Sequence, residues 1–192
     1  MPLFICDNFT VKIQAQFIHK RSGWRIKPIG SGAYRNCLID KGSLTRRLQL
    51  RAKDFKVNPL KVLNAKPAID EAWLLGVASK QLALLREVHL IDGTVPVVFA
   101  HSILPHKSLS GAWLGLRRLG NKPLGATLFS DPKVRRTPLM FKKLACHQAL
   151  YQRATAHLQT KPGVLWARRS VFILGHAQIL VTEVFLPGIL AL

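Results

Sequence analysis

Glu183 is the residue most out of place in this chain. It lies in Gln178-Ile179-Leu180-Val181-Thr182-Glu183-Val184-Phe185-Leu186-Pro187, a run that is β-branched and apolar almost throughout. Such a run predicts a central, buried strand. Alternation puts Glu183 on the same face as Val181 and Phe185. An ionised carboxylate on that face is costly unless something pairs with it. Leu82 to Ile91 carries the complementary oddity. Leu82, Leu84, Arg86, Val88 and Leu90 share a face, and Arg86 is its lone charge. Arginine can grip a carboxylate with two parallel hydrogen bonds. A glutamate can accept a hydrogen bond from a hydroxyl or move a proton. Two readings stand together at this point. Arg86 and Glu183 form a buried pair of small net stability, or they face one cavity with a ligand between them.

Other chemistries find less support. Of the seven histidines, His19, His89, His101, His106, His147, His157 and His176, none falls in an HxxxH or HExxH pattern. Cys146 and His147 are adjacent in a helix expected over Ala145–Leu158, so both cannot readily reach one ion. Cys6, Cys37 and Cys146 are widely spaced and odd in number, which argues against a disulfide framework and fits a reducing cytoplasm. Asp7, Asn8 and Lys12 interrupt any secretory signal pattern.

With 192 residues the chain has room for one domain and an appendage. No stretch approaches the roughly 18 uninterrupted apolar residues of a membrane span. The formal net charge of +20 should attract polyanions or an anionic membrane surface and draw small anions inward. Basic residues are spread along the chain and are not interleaved with aromatic residues, so no nucleic-acid partner is expected.

The elements that must position Arg86 and Glu183 follow from pattern. Residues 1–35 read as an extension, with an edge strand over Val11–Phe17 and Trp24 as an anchor. Ser43 caps a helix that opens at Leu44, whose first-turn N–H groups are free to bind an anion. Phe55–Leu63 is a strand with Pro59 marking an edge or a bulge. Leu82–Ile91 and Val97–Leu104 form a hairpin about Asp92-Gly93. Ser108–Leu119 reads as an amphipathic helix, Asn121–Gly125 as a tight loop before the apolar Thr127–Phe129, and Arg136–Leu144 as a strand. Leu165–Leu174 pairs with the final strand about Gly175-His176.

Five stretches, in order, resemble the chorismate lyase (chorismate–pyruvate lyase) family. They are Gly42-Ser43-Leu44-Thr45-Arg46-Arg47-Leu48, Leu85-Arg86-Glu87-Val88, Leu119 to Phe129, Leu165-Trp166-Ala167-Arg168-Arg169-Ser170, and Leu180 to Pro187. The resemblance implies an α+β domain over residues 36–192: an antiparallel sheet of about six strands with helices packed on it, and an enclosed ligand cavity under two flaps. It implies that chorismate is converted to 4-hydroxybenzoate and pyruvate, the step that feeds ubiquinone synthesis, without a metal or organic cofactor. It also implies a cytoplasmic monomer. Residue by residue, the ligand-gripping arginine matches Arg86 and the active-site glutamate matches Glu183. The two flap positions that offer backbone N–H groups match Leu44 and Leu124. Some features depart from the family. His101 stands where an arginine is usual, which would bear on substrate entry or on the grip of the second carboxylate. Residues 145–162 read as a helical insertion, and the extension and the charge are unusual. The competing reading is a non-catalytic small-acid-binding domain of the same fold, like the effector domains of some bacterial transcription regulators, although no helix-turn-helix segment is visible.

Overall fold

The computed structural model describes residues 22–118 and 122–192. The expected strand over Val11–Phe17, with Cys6 and His19, lies outside them. Two short helices come first, α1 (Arg35–Ile39) and α2 (Leu44–Arg51). Strand β1 (Phe55–Ala65) follows, then α3 (Ile69–Leu74), β2 (Ala83–Asp92), β3 (Val95–Pro105) and α4 (His106–Leu109). After these come α5 (Leu124–Ser130), β4 (Arg135–Arg136), β5 (Met140–Ala145), α6 (Ala149–Thr155), β6 (Val164–Leu174) and β7 (Ala177–Phe185). The seven strands form one antiparallel sheet in the order β1-β2-β3-β7-β6, and β6 carries β4 and β5 in succession along its outer edge. The sheet is thus six strands wide.

Strand β7 is central, as its apolar run requires: it pairs with β3 on one side and β6 on the other. Pro59 has no N–H to donate, and β1 takes the opposite edge with a register shift between Pro59 and Lys61. Each face of the sheet buries its own core. On one face Leu38, Leu44 and Leu48 from α1 and α2 pack on Val88, Val98 and Phe185, and Leu124 and Leu128 from α5 pack near Phe172 and Ile179. On the other, Tyr151 and Ala154 from α6 join Trp24, Phe99, Leu165 and Val184.

Three local expectations change. Ser108–Leu119 is not one helix: α4 ends at Leu109, and a 3-10 turn at Leu114–Arg118 follows. Gly111 and Gly115 weaken a continuous helix, and the Trp113 Nε1–H is held by the Ala177 carbonyl at 3.2 Å instead. Leu124 does not sit in an open loop. It is the first residue of α5, behind Pro123, because Leu124 and Leu128, one turn apart, are both buried against the sheet. The strand expected over Arg136–Leu144 is split at Pro138. There Thr137 keeps the edge by exchanging bonds with Val171, its N–H to the Val171 carbonyl and its hydroxyl from the Val171 N–H.

Candidate active site

Alternation in β2 turns Arg86, Val88 and Leu90 to the face that α2 and α5 cover, and β3 and β7 add Ala100, Ser102, Val181 and Glu183. The opposite wall comes from Leu44 and Thr45 of α2 and from Leu124, Gly125, Leu128 and Phe129 of α5. Leu44, Arg86, Leu124 and Glu183 therefore line one cavity. Its free space is small. Its volume is about 40 Å³, room for roughly three waters.

Register fixes the spacing of the charges. Arg86 faces Ser102, which faces Val181, whereas Glu183 faces Ala100, two residue pairs further along. Two strand spacings across and two residues along place the Arg86 and Glu183 Cα atoms about 12 Å apart. The two charges thus stand toward opposite ends of the cavity, and a small ring lying between them needs more room than the closed cavity offers.

Each charge is also tied to a covering helix. Arg86 is 5 % exposed, and its Nη2 donates to the Lys122 carbonyl at 3.0 Å, just ahead of α5. Burial pulls its guanidinium below the usual range. Glu183 accepts from Arg168 Nε at 2.5 Å. Arg168 is 1 % exposed and also donates through Nη1 to the carbonyls of Cys37, in α1, at 2.9 Å and of Asp40, at its C-terminal end, at 2.6 Å. Ser43 caps α2 by accepting from the Arg46 N–H at 3.3 Å, and no side chain caps α5. Helix geometry leaves the N–H groups of Leu44 and Leu124 outside the intrahelical ladder. The helix dipoles add partial positive charge at the same place.

The sequence reading missed two residues. Arg168 is the ion partner of Glu183 and its direct cross-strand neighbour. The signal was present: a two-residue turn at Gly175-His176 pairs Leu174 with Ala177, and counting back reaches Arg168 opposite Glu183. Arg136 sits between Phe129 and Phe172, 5.5 and 5.1 Å from their ring centres, and donates to Ser170 Oγ at 2.7 Å and to the Lys41 carbonyl at 3.2 Å. Burial lowers its pKa and the nearby Glu183 raises it, with a net lowering.

His101 is a correction. Its neighbours Ala100 and Ser102 face the cavity, so it points through the sheet to the other side. There its Nδ1 meets Glu87 Oε1 at 3.0 Å and its Nε2 meets Glu71 Oε1 at 2.9 Å. It does not touch the cavity. The adjoining Arg169 pairs with Asp70 at 2.5 Å and lies 4.2 Å from the Trp24 ring centre.

Comparison with known proteins decides the family. The family model described as chorismate lyase matches residues 29–191. The chain belongs to the chorismate lyase family. A probable chorismate pyruvate-lyase of Nitrosomonas europaea is 52% identical over 152 residues, which are 79% of this chain and 85% of that one. One from Methylobacillus flagellatus is 46% identical over 172 residues, 90% and 97% of the two chains. Among solved structures, the effector domain of PhnF from Mycobacterium smegmatis superposes with a TM-score of 0.56 at 17% identity, over 77% of this chain and 90% of that domain. At that identity the likeness is one of fold alone.

Proposed function

We propose that the cavity between the sheet and helices α2 and α5 is where this chorismate lyase cleaves chorismate, with Arg86, Glu183 and the backbone of Leu44 and Leu124 as its working groups. The reaction of the family converts chorismate to 4-hydroxybenzoate and pyruvate, the step leading toward ubiquinone. The observation that carries the assignment is that two charges on separate strands and two helix starts all line one small space.

Arg86 and the amides of Leu44 and Leu124 hold the ring carboxylate. Glu183 meets the hydroxyl at the far end of the ring. The ring C–H beside that hydroxyl and the neighbouring enolpyruvyl C–O bond both break. The proton goes to the methylene of the departing enolpyruvate, which leaves as pyruvate, and the ring becomes aromatic. Aromatisation supplies a large driving force, so the protein's task is to orient the dianion and exclude water. One chain supplies all four groups, so the site needs no second copy.

The reading over a non-catalytic acid-binding domain is favoured by identities of 46–52% to lyases against 17% to a regulator's effector domain. The test is calorimetric titration with 4-hydroxybenzoate together with a coupled assay of pyruvate. Arg86→Ala should lose most affinity for 4-hydroxybenzoate, and an unchanged affinity would reject the cavity. Glu183→Gln should lower turnover per folded molecule. That normalisation matters because the substitution also strips Arg168 of its carboxylate.

A further inference from the structure

Outside the cavity, the flap side of the molecule carries a patch that the reaction does not use. Ile26, Ile29, Ile39 and Phe129 line one surface depression, and they are 74%, 70%, 43% and 40% exposed. Scattered exposed apolar residues are ordinary, but a contiguous set on one face marks an interaction surface. Lys27, Arg35, Lys41 and Arg136 line the same depression, and no acid does. Phe129 also borders a second depression that holds Arg46, Arg51 and Leu50, the last 78% exposed, again without an acid.

Most of the buried acids are committed to ion pairs: Asp70, Glu71, Glu87 and Glu183 are paired on or behind the sheet. Asp40, between the patch residues Ile39 and Lys41, is paired with Arg47, and Asp131 borders the second depression next to Ser130. Cations still outnumber acids on this face, as they do in the chain with 29 Lys and Arg against 9 Asp and Glu. Apolar tips inside a cationic rim match an anionic bilayer: the cations meet headgroups, and the tips enter the acyl boundary. A nucleic acid would engage the cations but would have no use for three isoleucines.

We propose that this face docks the enzyme on an anionic lipid bilayer. Phe129 lines both the patch and the cavity, so docking places the α5 side of the cavity beside the lipid surface. The inference does not depend on which residues cleave chorismate.

The test is flotation of the full chain with mixed phosphatidylcholine–phosphatidylglycerol vesicles and with phosphatidylcholine alone. The wild-type chain should float with the mixed vesicles only, and less so when salt is raised from about 0.15 M to about 1 M. Ile26→Ser with Ile29→Ser preserves the charge and should weaken partitioning about tenfold or more, with pyruvate production in solution unchanged. Lys27→Gln with Arg35→Gln should weaken it and flatten the salt dependence. Equal flotation of the wild type and the isoleucine variant would overturn the proposal, because charge alone would then be responsible. Failure of the wild type to float, as when a second copy of the chain covers the patch, would overturn it as well.

Discussion

At Gly125 the two helices that roof the cavity come into close contact. A Cβ placed there would lie 2.7 Å from Thr45 Oγ1 and 3.5 Å from Thr45 Cβ. Thr45 is 5% exposed and has a short, β-branched side chain, so it cannot swing clear. Two effects of Gly125→Ala then compete. Helix propensity favours alanine by about 0.5–1 kcal/mol. Overpacking costs about 1–3 kcal/mol, and the smallest relief is to part α2 from α5. The clash should win by about 1–2 kcal/mol, a factor of roughly 5–30 in an equilibrium. Calorimetric titration should show 4-hydroxybenzoate bound that much more weakly, because the closed roof is what the ligand must re-form. Thr45→Ala removes Oγ1 and leaves the two Cβ atoms at an ordinary separation. The double variant should therefore recover most of the loss, giving a coupling that distant sites do not show. If Gly125→Ala binds as tightly as the wild type and melts higher, propensity has prevailed and the helices do not press together here.

Two further substitutions probe the charges. Arg168→Met leaves Glu183 and the carbonyls of Cys37 and Asp40 without their shared donor, and should cost about 3–5 kcal/mol in urea denaturation; a loss below about 1 kcal/mol would mean that Arg168 is not what compensates Glu183. Behind the sheet, burial would depress the His101 imidazolium, but its bonds to Glu71 and Glu87 outweigh burial, and its pKa is raised overall. A raised folded pKa stabilises below the unfolded value of about 6.5 and loses that contribution as pH rises through the folded value. The melting temperature of the wild type should accordingly fall on going alkaline from about pH 6.5. His101→Asn should flatten that slope, and parallel slopes would remove His101 from the account. Burial works against the ionised forms of Glu71 and Glu87 too, yet His101 holds both pKa values below normal. Their contribution is present above the usual carboxylate range and disappears as pH falls through the lowered values, so both limbs of the stability profile pass through one cluster.

Period-two alternation made Arg86 and Glu183 legible, because a lone charge on an apolar strand face is a strong signal whatever the fold around it. Ser43 and Leu44 were legible from capping chemistry, which is equally local. What was hidden depended on contacts between distant segments. Helix α5 is short, contains a glycine and a threonine and has no capping side chain, so its local signals are weak despite the preceding proline. Burial of Leu124 and Leu128 beside Phe172 and Ile179 makes it a helix. The Glu71–His101–Glu87 cluster needs α3 set against the back of the sheet, a placement no strand pattern encodes. His101 is different, because alternation along β3 already put it on the face away from Ala100 and Ser102. A match by position to a family arginine obscured that simpler inference.

The fold itself does not decide between catalysis and mere binding, since a regulator's effector domain adopts it at 17% identity. Within this chain the charges at the cavity are wired to the segments that cover it. Arg86 is bonded to the Lys122 carbonyl ahead of α5, and Arg168, through the carbonyls of Cys37 and Asp40, joins the end of α1 and the segment leading into α2 to Glu183. Each end of the cavity thus shares a cation or its partner with the segment that must move for a ligand to enter. A carboxylate arriving at Arg86 competes with the Lys122 carbonyl for the same guanidinium. With the carboxylate bound at Arg86 as proposed, binding and the position of α5 would be coupled through one side chain.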